Sequence, residues 1–301
     1  MNVGVVGLGY WGSKVIDEYA TLRDRDDIDQ VIAIDTDPDA LASVSCADAA
    51  HESVEAALSE VDALHVATSN ATHFSIAETA LNADVDVLVE KPLTTDSRTA
   101  YDLVELASER GRILQTGHIF RFANVVRRVK QEYEEGQFGE LNHLSLRWTH
   151  ELDTYREADV LWDLLPHPLD ILNFVTGEWP RDVTGVSTVD ADGTRTAAQV
   201  GLDYGDFAAT VEVSWVDKTR RRTLEIAGSR RSSVIECVEQ SITHRDSNGE
   251  SAVDVTANNT ILAEVENFIR AIETGENTFN SAIVGARTVD AIQSVVEELD
   301  E

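Results

Sequence analysis

Apolar runs alternate with amphipathic stretches through the first 118 residues. The runs end at Val6, Ile34, Val66, Val89 and Leu114, and helical periodicity lies between them, as in Ile76-Ala77-x-x-Ala80-Leu81 and Tyr101-x-x-Val104-x-Leu106-Ala107. Strands buried on both faces read as continuous apolar runs, so this repetition predicts a parallel, doubly wound α/β sheet. Thr116-Gly117-His118 reads as the exit from it. From Arg121 the pattern changes. A helix near 122–135 and a strand near 141–149 lead to a helical stretch from Asp159 to Val175. Period-2 strands then follow over Val183–Val189, Ala197–Tyr204, Ala208–Val216, Thr223–Ala227, Ser233–Val238 and Ser241–His244. Tyr204-Gly205-Asp206 fits a hairpin turn, and the polar stretch Asp246–Glu250 reads as a surface loop. Two helices, 260–274 and 282–298, end the pattern. Strands in succession predict an α+β domain whose mostly antiparallel sheet is covered by helices on one face. The expected division is 1–118 and 119–301.

The chain's 301 residues, 43% of them hydrophobic, suffice for about two domains. No apolar run is long enough to span a membrane, and the first strand begins at Asn2, leaving no room for a signal peptide. Cys46 and Cys237 lack partners at metal-ligand spacing; no metal site is expected, and the pair reads as free thiols in a reducing cytoplasm. Charge changes the picture more. There are 55 acidic residues against 24 basic ones, and only Lys14, Lys91, Lys130 and Lys218 of the latter are lysines. A net charge of −31, spread over the whole chain, repels nucleic acid and anionic membrane, so neither is an expected partner. Lysine depletion alongside the acid excess resembles the proteins of salt-accumulating halophilic archaea, where concentrated counterions screen carboxylate repulsion.

The first strand, Val3-Gly4-Val5-Val6, runs straight into Gly7-Leu8-Gly9-Tyr10-Trp11-Gly12 and then a helix. In that order the glycines build a pyrophosphate cradle: Gly7 for the tight turn, Gly9 for close approach of the backbone, Gly12 for packing of helix on strand. Tyr10 and Trp11 open the helix, whose N-terminus faces the phosphates. The second strand, Val31-Ile32-Ala33-Ile34, ends in Asp35, where a carboxylate reads the ribose hydroxyls of NAD and repels the 2′-phosphate of NADP. NAD is therefore the expected cofactor and NADP the less favoured one.

Glu90-Lys91-Pro92 follows the strand ending at Val89, at the carboxyl edge where open α/β sheets bind ligands. A lysine there can polarise a hydroxyl or carbonyl. In Leu161-Trp162-Asp163-Leu164-Leu165-Pro166-His167-Pro168-Leu169-Asp170, helical spacing puts Asp163, His167 and Asp170 on one face. A carboxylate beside a histidine raises its proton affinity, as a general base requires. Pro166 and Pro168 can bend that helix and change which acid meets His167. Arg121 and Arg156, with Asp170, are candidates for gripping substrate, since a forked guanidinium suits a phosphate or carboxylate.

Together, Gly7-Leu8-Gly9-Tyr10-Trp11-Gly12, Asp35, Glu90-Lys91-Pro92 and Asp163-x-x-x-His167 resemble the glucose-fructose oxidoreductase / inositol dehydrogenase / rhizopine-catabolism family. Ala67-Thr68-Ser69-Asn70-Ala71-Thr72-His73 and Gln115-Thr116-Gly117-His118 support the resemblance, which spans nearly the whole chain. It implies a Rossmann domain followed by an open-faced α/β domain and reversible oxidation of a sugar or cyclitol hydroxyl. It also implies cofactor contacts at Thr68, Asn70, His73, Glu90 and Lys91. By position it makes Lys91 and His167 the catalytic pair, with Asp163 as acidic partner. Which of Lys91 and His167 is the base stays open. Asp159–His167 and the Gly-Tyr-Trp-Gly loop look like the nucleotide-sugar branch, which includes UDP-N-acetylglucosamine and UDP-N-acetylglucosaminuronate 3-dehydrogenases. Ala123-Asn124 and Pro168 depart from that branch's pattern. A free monosaccharide or inositol as substrate, and a non-catalytic NAD(H)-binding scaffold, remain as alternatives. The resemblance also implies a homodimer or homotetramer built through the second-domain sheet.

Overall fold

The computed structural model describes residues 1–152, 159–276 and 279–300. Its elements run β1 (Asn2–Val6), α1 (Gly12–Arg23), β2 (Gln30–Ile34), α2 (Pro38–Ser43), β3 (Ala49–His51), α3 (Val54–Ala57), β4 (Ala63–Val66), α4 (Asn70–Asn82), β5 (Asp86–Glu90), α5 (Ser97–Arg110) and β6 (Leu114–Gly117). A short 3-10 turn (Ile119–Phe122) leads to α6 (Asn124–Glu134), β7 (Leu141–Thr149), α7 (Val160–Leu164) and α8 (Pro166–Thr176). Then come β8 (Asp182–Val189), β9 (Arg195–Asp203), β10 (Ala208–Ser214), β11 (Arg221–Gly228), β12 (Ser232–Glu236), β13 (Ser241–Asp246), β14 (Gly249–Val253), α9 (Thr260–Thr274) and α10 (Ala282–Asp300). Contacts gather these into two compact units, Met1–Ile119 with Thr260–Val289, and Phe120–Asn259 with Asp290–Glu301.

The first unit is a six-stranded parallel sheet in the order β3-β2-β1-β4-β5-β6. Val3, Val5, Val31 and Ala33 are buried in a core that α1 closes with Val15, Ile16 and Tyr19. Val265, Phe268 and Ile269 of α9 join the same core. Helix ends are set locally. Asp96 caps α5 by accepting from the Thr99 N–H at 2.9 Å, and Gly111 ends it at φ +62°, a left-handed conformation that costs glycine little.

The second unit carries an eight-stranded sheet, β14-β13-β12-β11-β7-β10-β9-β8. All its pairs are antiparallel except β7 with β10, whose parallel register sets Leu146 beside Val211. One face buries Leu144, Leu146, Trp148, Val211, Val213, Leu224 and Ile226, while Thr210 and Glu225 of the intervening positions are exposed. That alternation is the pattern of a sheet covered on one side.

Two expectations need correction. Asp246–Glu250 is not a loop: Asp246 pairs with Gly249 and Arg245 with Glu250, so only Ser247-Asn248 turn, and β14 follows. The helical stretch 159–175 is two helices meeting at Leu165. Pro166 stands at the first position of α8, where its missing N–H has no intrahelical acceptor to lose and its fixed φ suits a helix start.

Candidate active site

The glycine turn of the first unit has the geometry its spacing predicts. Gly7 sits at φ +86°, and an added Cβ would lie 2.8 Å from the Ala67 backbone. A Cβ on Gly12 would fall 1.8 Å from the Gly7 carbonyl oxygen, so α1 packs on the turn as closely as hydrogen allows. A Cβ on Gly9 would meet nothing within 4 Å, which leaves its backbone open to a ligand. No acidic residue stands in the first turn of α1 to oppose an anion. Tyr10 is 71% exposed, with the Lys14 ammonium 2.7 Å from its hydroxyl. Asp35 is fixed from two sides: its Oδ2 accepts from Leu8 N–H at 2.6 Å and its Oδ1 from Asp37 N–H at 2.9 Å. The carboxylate thereby ties the turn to the end of β2, and each oxygen keeps a lone pair for a ribose hydroxyl. These residues fit a dinucleotide. Gly12→Ala is expected to weaken NAD binding at least about tenfold, because relieving the overlap must displace the turn. Calorimetric titration checks this, and unchanged affinity would count against the cradle.

At the carboxyl ends of β4 and β5 the sequence reading missed a buried chain of polar groups. The Trp11 indole N–H donates to Glu90 Oε1, His65 Nε2 lies 3.3 Å from the same oxygen, and His65 Nδ1 lies 3.2 Å from the Tyr19 hydroxyl. Glu90, His65 and Tyr19 are all buried. Burial, with the nearby Glu264 and Glu90 carboxylates, holds the Tyr19 hydroxyl well above its usual range, so it stays a donor. The one available signal was a histidine inside the otherwise apolar Ala63–Val66, since a buried imidazole requires a polar partner. Glu90 thus holds the aromatic side chain of the dinucleotide turn, while Lys91, partly exposed, follows it at the strand end.

His73 is buried within α4. Its Nδ1 lies 2.8 Å from the Pro92 carbonyl and its Nε2 3.2 Å from that of Thr68, so it ties the loop after β5 to the loop after β4. Thr68 takes a hydrogen bond from Thr72, and Asn70, partly exposed, begins α4. Burial pushes the His73 imidazole below its ordinary value of 6.5, against the pull of the two carbonyls. The unfolded chain therefore takes up a proton as pH falls through about 6.5 while the folded chain resists it. Stability is fully present above that value and declines below it, by at most about 1.4 kcal/mol per pH unit for one proton. Urea unfolding between about pH 7 and pH 5.5 should show this slope in the wild type and a smaller one in His73→Gln; equal slopes would assign the loss elsewhere.

In the second unit Asp159 caps α7, its Oδ1 accepting from Leu161 N–H at 2.9 Å, and its other oxygen meets Arg195 at 2.9 Å. The Asp163 carboxylate accepts from the Trp215 indole N–H at 3.0 Å. His167, in the first turn of α8, packs edge-on against Phe120 with ring centroids 5.1 Å apart and lies 6.1 Å from the Trp148 ring. None of these three aromatic neighbours was legible, because each comes from an element distant in sequence. The structure pairs Arg121 and Asp170, the two candidate substrate contacts, with each other. Arg121 Nε donates to Asp170 Oδ1 at 2.5 Å, Nη2 donates to Asn173 at 2.8 Å, and both charged groups are buried. They satisfy one another and lock the 3-10 turn onto α8, a pair whose loss would leave an uncompensated buried charge. Arg156 lies outside the described residues.

Comparison with known proteins matches residues 1–118 to an oxidoreductase family with an NAD-binding Rossmann fold, and residues 126–234 to the GFO/IDH/MocA C-terminal domain. A UDP-N-acetylglucosamine 3-dehydrogenase from Acidithiobacillus ferrooxidans is 30% identical, over 98% of this chain and 96% of the relative. The solved structure of that enzyme superposes with a TM-score of 0.88 at 27% identity, covering 100% of this chain and 98% of the other. A scyllo-inositol dehydrogenase from Lactobacillus casei, solved with NAD(H) and scyllo-inositol, shares the fold at a TM-score of 0.84 and 18% identity, over 100% of this chain and 97% of the other.

Proposed function

The chain belongs to the GFO/IDH/MocA oxidoreductase family, and on that premise we propose that it oxidises a nucleotide-linked sugar, at C3 of a UDP-linked N-acetylhexosamine or its uronate. The observation that carries this reading is end-to-end similarity, 98% of this chain, to an enzyme named for that reaction. When bound, NAD supplies the hydride acceptor. His167 takes the proton of the substrate hydroxyl as its O–H bond breaks. Lys91 donates a hydrogen bond to the same oxygen and stabilises the negative charge that develops there as the C–H bond breaks and the carbonyl forms. Asp163, on α7 and held by Trp215, is the acidic partner in this reading for His167 in the first turn of α8.

A substrate panel tests the proposal. UDP-N-acetylglucosamine, its uronate, free N-acetylglucosamine and inositol are each supplied with NAD in molar KCl, and NADH absorbance is followed. The reading expects kcat/KM for a nucleotide sugar to exceed that for free sugars at least about 100-fold. Turnover confined to inositol or free sugars would replace it. The exposed face of the eight-stranded sheet, with Val186 67% and Val189 55% exposed, is the proposed contact for a homodimer or homotetramer, read by light scattering in the same salt. A reducing, salt-rich cytoplasm is the proposed setting, consistent with Cys46 and Cys237 as free thiols.

A further inference from the structure

Arg222 stands at the start of β11, directly across from Trp148 of β7 in the strand register. Its guanidinium carbon lies 5.6 Å from the centre of the Trp148 ring, the ring that also neighbours His167. The side chain is half-buried and held firmly. Nη1 donates to the carbonyls of Thr149 at 2.8 Å and Arg221 at 2.7 Å, and Nη2 donates to His150 Nδ1 at 3.0 Å. A guanidinium has five N–H donors, so among the described residues Nε–H and one Nη2–H have no protein acceptor and can serve a ligand. Among the described residues no carboxylate is within ion-pairing distance of Arg222, in a chain with 55 of them. Its neighbours in charge are Arg220, exposed on the adjoining turn, and Asp163, which is already engaged by Trp215. Burial, reinforced by Arg220, pushes the Arg222 guanidinium down to about 10, with Asp163 opposing. Removing a cation from water without a counter-ion is unfavourable, and an incoming anion reverses that penalty.

We infer that Arg222 is a specificity residue that receives an anionic oxygen group of the substrate, a carboxylate or a phosphate, two ring contacts away from His167. The inference rests on the sugar-dehydrogenase reading and deepens it, because it makes an acidic substituent part of what the second unit recognises. A rigid fork anchored by three hydrogen bonds loses little freedom when it accepts two oxygens of one group. The charge has two possible sources in a nucleotide sugar, the uronate carboxylate and the diphosphate.

The test compares wild type, Arg222→Gln and Arg222→Lys. Initial rates use UDP-N-acetylglucosamine, UDP-N-acetylglucosaminuronate and free N-acetylglucosamine, and calorimetry gives Kd values for UDP and for glucuronate. Losing a charge-assisted fork is expected to lower discrimination for anionic over neutral sugars, as the ratio of kcat/KM values, at least about tenfold in Arg222→Gln. KM carries the change, and Arg222→Lys, which keeps charge without the fork, falls between. An equal loss for both nucleotide sugars with weakened UDP binding identifies the diphosphate. A loss confined to the uronate with weakened glucuronate binding identifies the carboxylate. Should Arg222→Gln fail to fold, Arg222→Lys carries the same comparison with at least about a threefold loss. Unchanged Kd values for both UDP and glucuronate overturn the inference, as does an equal fall in kcat for charged and neutral sugars. Because the binding arm needs no turnover, it decides the role of Arg222 even if no nucleotide sugar yields NADH, the result that would instead defeat the substrate reading.

Discussion

Alanine at Lys91 or at His167 is expected to lower turnover at least about 100-fold while NAD still binds, since a positioned proton-transfer or charge-stabilising group contributes about 100-fold to 10,000-fold. The two positions do different work in the proposal. His167 accepts a proton, so its loss should fall mainly on kcat and remove the acidic limb of the pH–rate profile. Lys91 stabilises charge on the substrate oxygen, so its loss lowers the rate itself. Its location supports that assignment: it follows Glu90, whose carboxylate is fixed by Trp11 and His65. Initial rates in molar salt, with NAD affinity from calorimetry, check both variants. Rates near wild type in both would remove Lys91 and His167 from the chemistry, and a change in KM alone would make them binding residues.

Withdrawing salt is the second large perturbation. The unfolding temperature should rise by more than about 10 °C between 0.1 M and 2 M KCl, because the screening length shrinks from about 10 Å to less than about 3 Å and relieves repulsion among excess carboxylates. Opposing this, surface ion pairs such as Arg25–Glu266, at 2.8 Å and about half exposed, weaken as salt rises. Such pairs contribute about 0–1 kcal/mol each, and 24 basic groups cannot offset 55 acidic ones. Net repulsion therefore decides the sign. Thermal melts followed by circular dichroism test this, and a flat or falling midpoint would give the acidic composition no stabilising response to salt.

Local features were readable from the residues alone, and non-local ones were not. The turn from β1 into α1 could be read because Gly7, Gly9, Gly12 and Asp35 act through backbone geometry within one strand–helix–strand unit. The edge strands β3 and β14 were passed over. Ala49–His51 is too short to show a period, and the exposed Glu250, Ser251 and Ala252 offer no apolar alternation. The parallel pairing of β7 with β10 joins segments more than 60 residues apart, and neither strand records it locally. The insertion of Val265, Phe268 and Ile269 beside Tyr19 is similarly invisible, since an amphipathic helix does not state which sheet it covers. The site divides the same way. His167 and Asp163 stood out by spacing, but Trp215, Trp148 and Phe120 reach them from other elements. The pairing of Arg121 was hidden for a related reason: nothing local in Phe120-Arg121-Phe122 discloses a buried carboxylate 49 residues away.

A double-mutant cycle on Lys91 and His167, read as single-turnover NADH formation from the best nucleotide sugar in molar KCl, addresses the central claim that both side chains serve one oxygen atom. Groups that act as a unit are non-additive, so the account predicts that Lys91→Ala/His167→Ala is slowed little beyond the worse single variant, within about tenfold. A double variant slowed by the full product of the single effects would mean that the two groups act independently, and the shared-hydroxyl mechanism would be wrong.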